Sequence, residues 1–338
     1  MGRGRGPGAE LTATLLNMRM IVMKLWRAAL AGLTTASLLG LGACSAYSDA
    51  APTASQATST TAGPLKVAVA FYPFQFVAER VGGDQVSVEN LTAPGAEPHD
   101  LELTPQQVAS LSSDDLVVYQ SGFQPAVDTA VEQARPARTV DTASFLTLMK
   151  ASEDGASSEV GNDHAANDPH TWLDPANMVT IAEHVRDALS EARPAAAQEF
   201  ADNTATLISD LNALDATLKS DLTGCRIKPF ITSHAAFGYF AKRYGLTQVG
   251  INGVEPDVEP SAARIAEVQK IAKANHVTTI FFETLVSPTV AESVAGDLGL
   301  KTDVLDPLEG ITSQSRGTDY LEVMRANGAS LQKANQCS

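Results

Sequence analysis

Basic residues are scarce in this 338-residue chain: 24 Lys and Arg stand against 39 Asp and Glu, for a formal net charge of -15. The imbalance is larger than it looks. Five of the basic residues (Arg3, Arg5, Arg19, Lys24, Arg27) and one acid (Glu10) fall in residues 1–43, leaving 19 basic and 38 acidic beyond them, a net of -19. A surface of that sign repels nucleic-acid phosphates and anionic lipid, so no nucleic-acid partner is expected, and it attracts cations without choosing among them. The chain has no H-E-x-x-H pattern of the kind that builds a zinc peptidase site. It also has no clear internal repeat. Aromatic residues make up only 6%, but hydrophobic residues reach 44%, ample for a buried core. At this length two domains are expected.

The N-terminus reads as an address label. Met23 to Arg27 is a short basic segment, and the apolar run Ala28–Ala43 that follows is too short to span a bilayer comfortably. It ends in Leu41-Gly42-Ala43-Cys44, which resembles a bacterial lipoprotein box. The mature protein is then expected to begin at a lipidated Cys44 and to touch the membrane through that anchor. Met18, Met20 and Met23 are candidate true starts. Residues 45–63 are rich in Ser, Thr and Ala and read as a flexible tether. The two other cysteines, Cys225 and Cys337, suggest a disulfide in an exported protein.

From Leu65 onward short apolar runs alternate with amphipathic segments. Strands are expected at 65–71, 86–91, 115–119 and 138–140, with helices at 74–81, 104–111, 124–133 and 142–149. The alternation returns with strands at 229–232, 248–251, 278–282 and 302–305 and helices at 235–244, 260–274, 288–298 and 319–334. This βα order predicts an α/β fold with two four-stranded parallel sheets. Between the halves, a helix over 177–191 precedes a second one over 195–222, free of Gly and Pro, that reads as a stiff strut. The expected division is a signal peptide at 1–43, the lipidated Cys and tether at 44–64, a first lobe at 65–193, the linking helix at 194–222 and a second lobe at 223–338. Residues 151–167 form an acidic loop without periodicity that carries His164.

Three of the six histidines lie beside strand ends or helix starts: His99 in P-G-A-E-P-H-D, His170 in N-D-P-H-T-W-L-D-P, and His234 in I-T-S-H-A-A-F-G-Y-F. Ligands gather beyond the carboxyl ends of strands in open α/β sheets, so the three can converge on one cleft. The segment V-L-D-P-L-E adds Asp306 and Glu309 after the last strand. Three imidazoles and one carboxylate suit tetrahedral zinc, although imidazole also suits copper, iron and nickel, so the set leans to zinc without excluding them. Glu97 and Asp100 are candidates to accept the spare ring N–H of a ligand histidine, and Glu283 to support the site from a neighbouring strand. His184 and His276 are read as without a metal role, and Trp172 as core packing beside the site.

These motifs, together with F-Y-P-F-Q-F-V-A-E-R-V-G-G-D and F-F-E-T-L-V-S-P, resemble the zinc-binding solute-binding lipoproteins of bacterial ABC importers, in order from about Leu65 to the C-terminus. The resemblance implies two βα lobes joined by a long rigid helix, with the metal in the cleft between them. It implies that His99 and His170 of the first lobe and His234 of the second hold Zn2+ as transported cargo with an acid near 306–309. Of the two acids Glu309 is the choice, since Pro307 restricts the backbone beside Asp306 and the longer side chain can reach back. An ABC-transporter permease is the implied partner, the location is extracytoplasmic, and a monomer is expected. Manganese-type relatives carry Glu where this chain has His234. Many zinc members carry a His-rich loop where this chain has only His164. A manganese binder and a surface adhesin are the alternatives. An enzyme is not expected, because a shell closed by four protein ligands leaves no position for an activated water.

Overall fold

The computed structural model describes residues 63–151 and 167–338. The expectations for Cys44, the leader, the tether and His164 lie outside the described residues.

The first sheet holds β1 (Leu65–Val69), β2 (Val86–Asn90), β3 (Leu116–Tyr119) and β4 (Thr139–Asp141), all parallel, in the order β2-β1-β3-β4. The second holds β5 (Pro229–Thr232), β6 (Thr247–Gly250), β7 (Thr279–Phe282) and β8 (Lys301–Val304), again parallel, in the equivalent order β6-β5-β7-β8. The first half carries α1 (Tyr72–Gly82), α2 (Pro105–Ser110) and α3 (Pro125–Ala134), and the second carries α6 (Gly238–Tyr244), α7 (Ala262–Ala274), α8 (Thr289–Leu298) and α9 (Tyr320–Asn335). Between them run α4 (Pro175–Ala192) and α5 (Ala197–Asp221).

Helix starts follow from local chemistry. Thr104 caps α2 in a reciprocal capping box with Gln107, Asp174 caps α4, Ser261 caps α7 and Asp319 caps α9. Proline occupies the first turn of α1, α2, α3 and α4, where its missing N–H costs no intrahelical bond.

The 25 residues of α5 span about 37 Å at 1.5 Å per residue. They bury a stripe of Phe200, Thr204, Leu207, Leu211, Leu214 and Leu218. Toward its start α5 meets the first half: Arg80 of α1 pairs with Asp210 at 2.5 Å, and Asn203 donates to the Val81 carbonyl at 3.1 Å. Toward its end it meets the second half. Asp215 pairs with Arg243 of α6, and Leu218 lies so close to Gly328 of α9 that a β-carbon there would come within 2.4 Å of its Cδ2. One apolar cluster runs from the first sheet through α4, α5 and α9 onto the second half, and a smaller one, with Ile231, Val249, Val268 and Ile280, packs elsewhere in that half. Cys225 and Cys337 form a disulfide that ties the start of the second half to the end of α9.

Two expected helices differ. Residues 142–149 form only a 3-10 turn, Thr142–Ser144. The Met149 N–H, which a helix would use internally, donates instead to the Tyr239 hydroxyl at 2.8 Å. The helix expected from 235 begins at Gly238. Ala235 donates its N–H to the Gly253 carbonyl at 2.8 Å, which holds 234–237 as a loop.

Candidate metal centre

The His99 loop follows β2. Gln124, buried at the start of α3, donates to the Pro98 carbonyl at 3.0 Å and to the Thr92 hydroxyl at 3.2 Å, and Thr92 in turn donates to the Ala70 carbonyl. The His99 ring packs edge-on against Phe123, with centroids 4.8 Å apart. His170 sits at the entry to a 3-10 turn, Thr171–Leu173, just before α4. Gln120, at the end of β3, clamps that segment by donating to the Pro169 carbonyl at 2.6 Å and accepting from Thr171 and Thr142.

His234 follows β5 by two residues, and its carbonyl accepts from Thr232 and Gln248. Glu309 follows β8 in a loop braced by Asp306. The Asp306 carboxylate accepts from the Leu308 N–H at 2.8 Å, from Ser315 at 2.8 Å and from Thr284 at 3.3 Å, while Asn327 pairs with both backbone groups of Asp306. Leu308 has φ 60, in the left-handed region, so this bracing sustains a conformation that leucine disfavours.

These four loops bring His99, His170, His234 and Glu309 together as a buried set whose candidate ligand atoms all lie within 4.8 Å of one another. One oxygen is the hub. Glu309 Oε1 lies 3.4 Å from His99 Nε2, 3.4 Å from His170 Nε2 and 3.6 Å from His234 Nε2, and the last two nitrogens are 3.2 Å apart. A tetrahedral zinc with bonds of about 2.0–2.1 Å sets its ligands about 3.3–3.4 Å apart, so these four separations lie close to four of the six edges of such a shell. Both Glu309 oxygens and His99 Nε2 are buried without a hydrogen-bond partner. Unpaired buried acceptors are costly, and a cation would satisfy them.

Each ring turns its other nitrogen to a carboxylate. His170 Nδ1 meets Asp168 at 2.8 Å, His234 Nδ1 meets Glu283 at 2.7 Å, and His99 Nδ1 meets Glu255 at 3.2 Å. This leaves the Nε2 atoms for the metal. Burial alone would push His234 down, but Glu283 and Glu309 raise it well above its ordinary value. Burial likewise opposes His99, which Glu255 and Glu309 raise to about 9. Glu309 would be raised by its burial, yet the three imidazoles bring it well below the usual carboxylate range. Glu97 is pushed up to about 8, by burial and then by Glu309.

The structure thus brings together all four expected ligand candidates and sets Asp306 aside as the brace of the loop. Glu283 stands behind His234 as expected. Glu97 and Asp100 do not take a ring N–H: Glu97 accepts the His99 backbone N–H at 3.2 Å, and Asp100 lies near Asp257, whose carboxyl it raises. Trp172 is fully buried beside the site. His184 stacks on Phe145 at 3.7 Å and His276 lies just past α7, and neither joins the cluster. Sequence reading missed Asp168, Glu255, Gln120 and Gln124. Asp168 had a signal in its motif, two residues before His170. Glu255 had none, for V-E-P-D-V-E-P matches neither a helix nor a strand pattern and offers three acids alike.

A profile for "Zinc-uptake complex component A periplasmic", ZnuA, matches residues 67–334. The zinc-binding lipoprotein AdcA of Streptococcus pneumoniae is 36% identical over 273 residues, covering 78% of this chain and 54% of that protein. The chain therefore spans about half the length of the curated relatives it first matches. Among solved structures, the Zn(II)-bound ZnuA-like domain of the same AdcA aligns with a TM-score of 0.68 and 34% identity, over 81% of this chain and 99% of that one. The laminin-binding protein Lmb of Streptococcus agalactiae, described as bifunctional with adhesin and metal-transporting activity, aligns with a TM-score of 0.71 and 29% identity, over 80% and 99%. This protein belongs to the ZnuA family of zinc-uptake binding components.

Proposed function

We propose that this protein captures zinc outside the cytoplasm and delivers it to an ABC-transporter permease, holding the ion with His99, His170, His234 and Glu309. The observation that carries this reading is the single Glu309 oxygen ringed by three Nε2 atoms at 3.4–3.6 Å, at separations that suit a four-coordinate ion. Three imidazoles to one carboxylate favour zinc over manganese, which prefers more oxygen. Four protein ligands close the shell, which supports a carrier rather than a hydrolase needing an open position for water. Residues 65–193 and 223–338 serve as the two lobes, joined by 194–222, in a monomer anchored through Cys44.

The test is elemental analysis of protein purified without added metal, followed by zinc titration with manganese as competitor. One zinc per chain, bound tighter than micromolar and not displaced by manganese, is the expected result. Binding no tighter than micromolar overturns the reading. Retention on immobilised laminin would add the adhesive role described for the S. agalactiae relative.

A further inference from the structure

One of the three carboxylates behind the histidines differs from the other two. Asp168 lies two residues before His170, and Glu283 directly follows β7, the strand paired with the one that leads to His234. Each of these pairs belongs to one half of the molecule, and both carboxylates are buried, at 6% and 2% side-chain exposure. Glu255 belongs to the loop between β6 and α7 in the second half, yet it meets the ring of His99, which follows β2 in the first. Its side chain is 52% exposed, while that of His99 is 2% exposed.

The structure assigns Glu255 as a positioning residue that makes retention of the metal depend on the two halves being apposed. The inference rests on the zinc reading above. A carboxylate on Nδ1 fixes the tautomer and ring orientation of a ligand histidine and strengthens Nε2 as a donor. His170 and His234 carry that support within their own half, whatever the other half does. His99 receives it from across the cleft. When the halves part, His99 alone loses its orienting acceptor and becomes the weak ligand, so release starts there.

The Glu255 loop is fastened to the second half of the site. Asn252 donates to the Pro256 carbonyl at 2.6 Å, and the Gly253 carbonyl accepts from Ala235, the residue after His234. Movement of that half therefore carries Glu255 with it. Glu97, another acid near His99, meets its backbone rather than its ring: Oε1 accepts the His99 N–H at 3.2 Å, and Oε2 is buried without a hydrogen-bond partner.

The experiment is zinc release from the loaded full-length protein into excess chelator, followed by stopped flow, with zinc binding by the unaltered protein established first. Failure of the unaltered protein to bind zinc overturns the zinc reading itself and is seen before any variant is compared. Glu255→Ala should speed release about 10–100-fold, the range found for lost supports of ligand histidines, without slowing zinc uptake or changing metal-free melting. Glu255→Gln keeps an acceptor for the ring N–H and should stay within about threefold of the unaltered rate. Glu259→Ala, which removes an exposed charge from the same loop, should leave the rate unchanged. Release from Glu255→Ala within twofold of the unaltered protein overturns the assignment. So does equal acceleration in Glu255→Gln or in Glu259→Ala.

Discussion

The indole nitrogen of Trp172 donates a 2.7 Å hydrogen bond to the carbonyl of Pro307. Trp172 stands two residues after His170 and Pro307 two residues before Glu309, so the bond couples the loops that carry opposite sides of the site. The Tyr320 hydroxyl of α9 donates to the Trp172 carbonyl at 2.7 Å and fixes the same turn to the second half. Phe71 and Phe123 pack on the indole, with centroids at 4.6 and 5.4 Å. Trp172→Phe keeps an aromatic ring there but leaves the Pro307 carbonyl buried without its donor. It should lower the unfolding free energy of the metal-free protein by about 1–3 kcal/mol, read by urea titration, and should weaken zinc binding as the two loops lose register. Unchanged stability and affinity would show that the bond does not couple the loops.

Asp306 and Glu309 stand three residues apart and should fail in different ways. Asp306→Ala strips the acceptor from the Leu308 N–H, which sits in a left-handed conformation, and from the Ser315 and Thr284 hydroxyls. Metal-free stability should fall by about 1–3 kcal/mol, whereas a zinc-induced rise in melting temperature should persist. Glu309→Ala removes the hub of the cluster, and zinc should then add far less to the melting temperature. Melts with and without zinc separate the two outcomes. Asp306 is thus a brace of the loop that carries Glu309.

The legible part of this protein lay where a signal is local. The apolar runs at 65–71 and 278–282 marked the strands found at Leu65–Val69 and Thr279–Phe282, and the amphipathic stretches at 104–111 and 177–191 marked helices that begin at Pro105 and Pro175. The three histidines were legible because each follows a strand or precedes a helix, two of them, His99 and His170, in loops rich in proline and acids. What was hidden depends on partners distant in sequence. The 142–149 stretch looks helical until Tyr239, 90 residues away, takes the Met149 N–H. Glu255 has no local mark, because its role comes only from the approach of the other half.

The junction between α5 and α6 should show up in acid. Asp215 accepts from Arg243 Nε at 2.6 Å, from Arg243 Nη2 at 2.8 Å and from Lys219 at 2.6 Å. Burial alone would raise its carboxyl, but Arg243 and then Lys219 bring it down to about 2. A carboxyl lowered in the folded state contributes stability that is present above its unfolded value of about 3.9 and lost as pH falls through about 2. Asp174 acts in the opposite sense: its burial raises its carboxyl, so its share grows as pH falls and offsets part of the loss. Asp215→Asn should therefore flatten the decline in stability of the metal-free protein between about pH 4 and pH 2. Urea unfolding across that range reads the slope, and an unaltered slope would show that the pair carries no linkage.

Gly238, the first residue of α6, offers a way to disturb His170 without touching it. Its backbone is not in the left-handed region, so alanine is conformationally acceptable there. A β-carbon, however, would lie 2.5 Å from Oδ2 of Asp168. Asp168 has little room to yield. Its side chain is buried, its Oδ1 accepts from the His170 backbone N–H at 3.0 Å as well as from the ring, and its carbonyl accepts from Tyr239 at 2.9 Å. The carboxylate must rotate away, and His170 Nδ1 then loses the acceptor that holds its tautomer. Gly238→Ala should lower zinc affinity about 10–100-fold. Asp168→Ala, which removes the acceptor directly, should give a loss of the same size, and the double variant should be no worse than either single one, because both act on one bond. Competition with a zinc chelator measures all three. Additive losses would show that Gly238 acts on the site by some route other than Asp168.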